Sequence, residues 1–252
     1  MILFQDIHKR FGKKVVLQGV TLDVPKGQVQ YIIGTSGAGK SVLTKHLVGL
    51  LRPDEGRVIF DGRDITDFTE QEFFEVRRRI ATVFQHATLF DSMTMAENVA
   101  LPLRKHRGLK QQDALERAMT YLKQVQMADY AHRYPSDVGD GLRKRVAIAR
   151  ALTMDPEVVI FDEPTTGIDP LAAANVDQLI RHLSEQMTVT SIVISHDLRS
   201  IFRVADRIAM LYKGRVLLEG TPEEFRQTTN PVVRQFINGD ADGPMEFPGV
   251  GQ

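Results

Sequence analysis

The stretch GTSGAGKS, Gly34 to Ser41, has the residue types and spacing of a phosphate-binding loop. It follows an apolar run, VQYII, and opens a helical pattern, KSVLTKHLVGLL, which is the context such a loop needs. Glycine at 34, 37 and 39 lets the backbone N–H groups of Gly34, Thr35, Ser36, Gly37, Ala38 and Gly39 close around a polyphosphate. The helix N-terminus adds positive potential. Lys40 is expected to reach the β- and γ-phosphates, Ser41 to ligate Mg²⁺, and Val42 to continue the wall of the site. The expected ligands are a polyphosphate and Mg²⁺.

Three further segments end in side chains suited to phosphate chemistry. VVIFDE, residues 158 to 163, is an apolar strand closing on two carboxylates. On their own these are equally two solvated acids at a strand end. Beside a phosphate loop, Asp162 holds Mg²⁺, directly or through water, and Glu163 polarises the attacking water. SIVISHDL places His196 after another apolar strand. A histidine there caps a helix or fills a core; next to the strand of Glu163 it is placed to contact the γ-phosphate. Gln85 ends IATVFQ, where it either bonds a loop or contacts Mg²⁺ or the water. His86 beside it receives no role.

The elements that must position these residues follow from pattern. VTLDVPKGQVQYIIG reads as an alternating strand, a Pro-Lys-Gly turn and an apolar strand. GRVIFDGRDI is a strand pair around an Asp61-Gly62 turn. Residues 69 to 155 become mostly helical and more polar. EVVIFDE, TVTSIVIS, RIAMLYKG and RVLLEG are short strands, with helices LAAANVDQLIRHLSEQM and DLRSIFRVA between the first three. Alternating strands and helices imply a parallel α/β sheet, into which the helical stretch is inserted. The end, DADGPMEFPGVGQ, reads as an extended tail.

Composition narrows the class. The 252 residues carry 32 Lys and Arg against 32 Asp and Glu, so global charge argues against a dedicated nucleic-acid binder. There is no cysteine, hence no disulfide and no thiolate metal site. Seven histidines lie scattered without ligand spacing. The opening MILFQDIHKRFGKK lacks the pattern of a signal peptide, and no window of about 18 apolar residues exists to span a bilayer. The expected location is the cytosol, or a membrane reached through a partner.

The motifs, in this order over residues 1 to 240, resemble the nucleotide-binding subunit of ABC transporters. The resemblance implies an α/β P-loop ABC ATPase fold: a RecA-like parallel-sheet core, an antiparallel β subdomain and an inserted helical subdomain at about 87–155. The domain would span 1–238, with a C-terminal tail at 239–252. It makes Gly34–Ser41 the Walker A motif, Gln85 the Q-loop, residues 138 to 142 the signature, and Val158–Asp162 Walker B. Glu163 becomes the catalytic glutamate, Gly167–Asp169 the D-loop with Asp169 at the nucleotide, and His196 the switch histidine; Lys40 and Gln85 complete the catalytic set. Ser41, Gln85 and Asp162 would hold the metal. Phe11 stands where the family stacks an aromatic on adenine; the other reading is a core phenylalanine. In this family the signature of one protomer, here Gly139, Asp140 and Gly141, closes on the ATP of the other. The resemblance therefore implies a head-to-tail homodimer.

LFDSMTMAENVALPLR, SHDLRSIFRVADRIAML and VVRQFINGDADGPMEF resemble the narrower Mla/Mkl branch, whose ATPases work with Mce-type lipid-binding proteins. That likeness implies phospholipid as cargo, integral-membrane permease subunits, a small cytoplasmic regulatory subunit and a tail that embraces the partner subunit. It places the chain peripherally on the cytoplasmic face of a bacterial inner membrane.

One motif departs from the family. Its signature reads Leu-Ser-Gly-Gly-Gln, or ends in Met in this branch; here the place reads Val138-Gly139-Asp140-Gly141-Leu142. The serine hydroxyl is lost at Gly139, and a hydrogen bond to a charged group is worth roughly 1.5–3 kcal/mol. A carboxylate about 6 Å from a phosphate charge costs on the order of 3 kcal/mol at an effective ε near 20. Against this, aspartate suits the positive end of a helix. Asp140 is expected to cap the helix GLRKRVAIARAL, turned aside and paired with Arg143 or Lys144. RKR reads as a solvated helix face rather than a nucleic-acid patch. The leading expectation is an ATP-hydrolysing transport motor. A slow-hydrolysing nucleotide switch that scaffolds a membrane complex is the alternative, together with a cassette for another small-molecule substrate. A cassette acting on DNA or ribosomes is disfavoured, because such chains carry two cassettes or long coiled-coil insertions.

Overall fold

A computed structural model describes residues 1–245. In chain order the strands and helices begin β1 (Ile2–Phe11), β2 (Lys14–Val24), β3 (Val29–Ile33), α1 (Lys40–Leu47), β4 (Glu55–Phe60) and β5 (Arg63–Asp64). Then come α2 (Glu70–Arg79), β6 (Ile80–Val83), α3 (Met95–Arg107), α4 (Gln111–Gln124), α5 (Asp140–Leu152), β7 (Val158–Asp162) and α6 (Pro170–Met187). The chain continues through β8 (Thr190–Ile194), α7 (Leu198–Val204), β9 (Arg207–Tyr212), β10 (Arg215–Gly220), α8 (Pro222–Gln227) and α9 (Pro231–Asn238). These elements fall into two compact units, Met1–Phe73 with the described residues from Ile194 on, and Phe74–Val193.

The first unit holds an antiparallel sheet in the order β2-β1-β4-β5. Its β4–β5 turn is Asp61-Gly62, with φ of +53° and +78°, and Phe60 pairs with Arg63 across it. This is the primed turn that an Asp-Gly pair favours. A second set of strands runs β10-β9-β3. β3 and β9 are parallel and β9 and β10 antiparallel. All five residues of β3 are buried, as a strand covered on both faces requires. α1 is shorter than its pattern, stopping at Leu47 with Gly49 at φ +69°. A side chain at Gly49 would stand 2.5 Å from the Phe73 ring, so the chain must turn there.

The end of this unit differs from the extended tail that its composition suggests. The backbone N–H of Met245 donates to Oε1 of buried Gln235 at 2.7 Å, and the Met245 side chain is buried. Residues 239 to 245 therefore fold back on α9. The rest of the expected tail, 246–252, lies outside the described residues.

In the second unit β6 and β7 run parallel, with Val83 opposite Phe161. Arg79 and Glu157 clamp the start of the pair through a bidentate ion pair. α3, α4 and α5 pack on one another. α3 opens with a capping box, Thr94 with Glu97, and closes at Gly108 in the left-handed region. Asn98, buried on α3, donates to three carbonyls, those of Phe90, Met93 and Thr94, and accepts from the N–H of Phe90. This fixes the loop between Gln85 and α3. Among the described residues no helix is long and apolar enough to cross a membrane.

His46 closes the buried face of α1. Its Nδ1 lies 3.3 Å from the Leu43 carbonyl, while Nε2 is buried without a hydrogen bond. Burial, reinforced by the Lys9 charge, holds its pKa below the ordinary 6.5. The unfolded chain therefore takes up a proton first as pH falls, and stability drops below about pH 6.5. We expect Tm to fall between pH 7.5 and 5, and His46→Leu to flatten that fall. An identical slope in the variant would refute the assignment.

Candidate active site

In the first unit the buried strand β3 delivers the chain into the loop Gly34–Ser41. Gly34, Gly37 and Gly39 have φ of +139°, +77° and +102°. A Cβ at Gly34 would lie 2.1 Å from the carbonyl oxygen of Leu211, and one at Gly39 would lie 2.5 Å from Leu17. Only glycine follows this path. Gly39 precedes α1 without any side-chain cap, and the first turn of α1 carries no acidic residue. Its amides are thus offered to an anion. Lys40 bends back over the loop, its Nζ donating to the carbonyls of Gly34 at 2.8 Å and Thr35 at 3.0 Å. A polyphosphate would draw that ammonium outward. The cradle fits ATP by its glycine geometry, its uncapped helix start and the Lys40 ammonium over the loop. Thr35, Ser41 and Val42 are half-buried around it and Ser36 is exposed, while Ala38 packs beneath.

Two other expected residues belong to this unit. Phe11 ends β1 half exposed, at 47%, rather than packed in a core. Lys9 Nζ sits 5.7 Å above its ring and also binds Asp54 at 2.8 Å. An exposed aromatic face at a strand end suits a nucleobase better than a core. His196 is exposed, two residues past β8, and its neighbour Asp197 caps α7 by accepting from the N–H of Arg199 and Ser200.

The second unit gathers Gln85, Asp162, Glu163, the signature and Asp169. The last paired residues of β6 and β7 are Val83 and Phe161, so Gln85 and Glu163 each stand two residues beyond them on the same edge. Glu163 has φ +51°, a left-handed conformation that costs a non-glycine residue roughly 1–2 kcal/mol. The turn is held by neighbours that sequence reasoning did not single out. Thr166 Oγ1 donates to Glu163 Oε2 at 2.9 Å. Lys144 Nζ donates to the carbonyls of Thr166 at 2.5 Å and Glu163 at 3.4 Å. Lys144 is only 4% exposed, and burial lowers its pKa. The i, i+3 spacing of Glu163 and Thr166 was the one available signal; nothing in the local sequence pointed Lys144 at them.

The signature is corrected in detail. Gly139, not Asp140, is the N-cap of α5, with φ −72° and ψ 164°. Asp140 is the first helical residue, and its Oδ1 accepts from Arg143 Nη2. The Lys144 ammonium makes its hydrogen bonds to the Glu163 turn and feels Asp140 through its charge. Gly139, Asp140, Gly141, Gly167, Asp169 and Ala172 line one open groove of about 390 Å³. Asp169 caps α6, accepting from the N–H of Leu171 at 3.0 Å and Ala172 at 2.9 Å. Leu171 beside it is 73% exposed.

Among the described residues no group of three His, Cys, Asp or Glu could hold a metal. Ser41 in the first unit carries a hydroxyl oxygen, and Gln85 and Asp162 in the second carry amide and carboxylate oxygens, each the hard donor type that Mg²⁺ takes. A separate groove of about 200 Å³ in the second unit lies next to Gln85, lined by Val83, Phe84, Pro102, His106, Arg150 and Met154 among others. Of its lining, Phe84 is about half exposed.

The family model for ABC transporters matches residues 17–166. The chain is 37% identical over 237 residues to "Probable ribonucleotide transport ATP-binding protein mkl" of Mycobacterium leprae, covering 94% of this chain and 68% of that protein. It spans about two thirds of the mycobacterial relatives it matches, 66% in Mycobacterium bovis. It is also 37% identical over 236 residues to "Intermembrane phospholipid transport system ATP-binding protein MlaF" of Haemophilus influenzae, covering 94% of this chain and 89% of that one. Among solved structures, the dimeric post-hydrolysis state of the ATP-binding cassette MJ0796 bound to ADP and Pi is similar, with TM-score 0.79 and 32% identity, covering 88% of this chain and 99% of that chain.

The two signature glycines differ in what they tolerate. A Cβ at Gly141 would lie 2.7 Å from Ala172 Cβ, whereas nothing lies within 4 Å of one at Gly139. Gly141→Ala is expected to cost about 1–3 kcal/mol by overpacking α5 against α6. Gly139→Ser is expected to be neutral or slightly stabilising, since serine is a good N-cap. Urea denaturation of both variants decides it; equal effects would contradict this packing.

Proposed function

The chain belongs to the ABC transporter family and is an ATPase, and from that we propose that it is the motor subunit of a phospholipid transport complex. The cargo rests on likeness to the MlaF protein; the ribonucleotide wording of the mkl name makes another small molecule the competing cargo. The active unit we propose is a head-to-tail homodimer, supported by the dimeric cassette it resembles. It would sit on the cytoplasmic face of a membrane through permease subunits, with a small regulatory subunit and an Mce-type protein in the same complex. The groove beside Gln85 is our site for a permease helix, its half-exposed Phe84 and its mixed lining of apolar residues with Arg77, Arg78 and Arg150 suited to an amphipathic partner.

In this reading the loop amides and Lys40 hold the phosphates, and Phe11 carries the adenine. Ser41, Asp162 and Gln85 hold Mg²⁺, which when bound neutralises phosphate charge. Glu163 orients the attacking water and accepts its proton at the carboxylate, with Thr166 fixing one oxygen. His196 donates to the γ-phosphate. The amides at Gly139 and Gly141 of the partner signature close the site, with Asp169 nearby holding the start of α6.

The observation that favours a motor is the turn of Asp140 into its ion pair with Arg143, which neutralises the carboxylate locally. The observation that favours a slow nucleotide switch is that the Asp140 side chain remains 59% exposed in the signature groove, beside a Gly139 with no hydroxyl.

Steady-state ATP hydrolysis in the co-purified membrane complex separates them. For a motor, wild type turns over readily and Glu163→Gln loses on the order of 100-fold or more, while the double reversion Gly139→Ser with Asp140→Gly stays near wild type. For a switch, wild type is nearly as slow as Glu163→Gln and the reversion restores turnover.

A further inference from the structure

Tyr31 is the middle residue of β3, the strand that runs into the phosphate cradle, and it is fully buried. A phenol is an unusual choice for a strand otherwise built from apolar residues and one glutamine. Its hydroxyl lies 2.8 Å from Ser200 Oγ, and Ser200 is only 1% exposed. Ser200 stands in the first turn of α7, where its N–H approaches Asp197 Oδ1 at 3.4 Å. The N–H of Asp197 in turn donates to Ser195 Oγ at 3.0 Å. His196 is therefore strung between Ser195 and Asp197, on a turn whose far end is bonded to the strand of the cradle. Exposed itself, it is placed by this chain of bonds.

We propose that Tyr31 is a positioning residue that sets the distance of His196 from the phosphate cradle through the buried Tyr31–Ser200 hydrogen bond. The inference rests on the reading of His196 as the γ-phosphate contact. The two hydroxyls lie in the same unit as the cradle and His196, so the link needs nothing from the rest of the chain. Loss of the bond leaves β3 and the loop glycines in place, because their path is dictated by backbone contacts. It releases α7 and, with it, His196. Nucleotide affinity should then survive while turnover falls, since a small misplacement of a contact made in the transition state costs rate rather than binding.

The experiment compares Tyr31→Phe, Ser200→Ala, the double variant and His196→Ala. Turnover and KM are read in the membrane complex. The Kd of trinitrophenyl-ATP, Tm and the ring resonances of labelled histidines are read on the full chain, with the His196 signal identified by its loss in His196→Ala. Tyr31→Phe is expected to lower kcat about tenfold with KM and Kd unchanged. The same variant should shift or broaden the His196 resonance without nucleotide, and the double variant should be no worse than Tyr31→Phe. Full turnover in His196→Ala would overturn the reading of His196 and the tether with it. A slow His196→Ala beside Tyr31→Phe with wild-type kcat and an unmoved resonance, whatever its Tm, would overturn the tether alone.

Discussion

No side chain can stand at Gly34, because a Cβ there would lie 2.1 Å from the carbonyl oxygen of Leu211. This constraint comes from the parallel register of β3 and β9, which sets Ile33 opposite Met210 and brings the next carbonyl against the strand end. The same crowding recurs around it. Gly39 is pressed by Leu17, and Gly214 lies so close to the Val16 carbonyl that its Cβ would stand 2.5 Å away. Gln18 N–H binds the Gly214 carbonyl at 2.8 Å, and Gln18 Nε2 binds Lys213 O at 3.1 Å. The cradle is therefore clamped from β2 and from the β9–β10 hairpin. The path of its backbone is set by these contacts and by the Ala38 N–H, which donates to the Thr35 carbonyl at 3.2 Å.

The second unit solves a different problem. In the proposed reading Glu163 directs one water, yet a glutamate has three rotatable bonds. Here the backbone at Glu163 is held in a left-handed turn, and Thr166 fixes one carboxylate oxygen. The strain is offset by Lys144, whose buried ammonium satisfies two carbonyls of that turn. Lys144 belongs to α5, the helix that the signature opens. Lys144 thus ties that helix to the Glu163 turn. Removing the lysine would take a charged donor from the half-buried Thr166 carbonyl and leave that of Glu163 to the Thr166 N–H at 3.3 Å.

The altered signature fits the same logic of local satisfaction. Gly139 keeps an extended backbone at the helix start, and Gly141 is required by contact with Ala172. Gly141 is the crowded position of the three; at Asp140 the side chain is accommodated, and at Gly139 nothing would stand within 4 Å of one. Asp140 sits on the first turn, where a negative charge is favourable, and three residues ahead of a guanidinium that reaches it. The substitution therefore changes charge in the groove while leaving the shape of the groove alone.

Much of this was legible in the sequence, because the deciding forces are local. The phosphate loop announces itself through glycines whose positive φ excludes other residues, and through the apolar strand and helix that flank it. The Asp61-Gly62 turn follows from the preference of that pair, and the strand VVIFD from its apolar run. What escaped was set by contacts across long separations. Lys144 reaches Thr166, 22 residues on, and Tyr31 reaches Ser200, 169 residues on. Nothing in periodicity distinguishes Arg143 from Lys144 as the partner of Asp140. The choice is made by the α5 helix face, which turns Lys144 inward and leaves Arg143 at the rim. The fold of Met245 back onto Gln235 was likewise hidden by a composition that reads as open chain. By itself the sequence determined the chemistry and the local backbone of the site. Tertiary structure decided which charge satisfies which, because only the packed helices determine which buried polar group needs a partner.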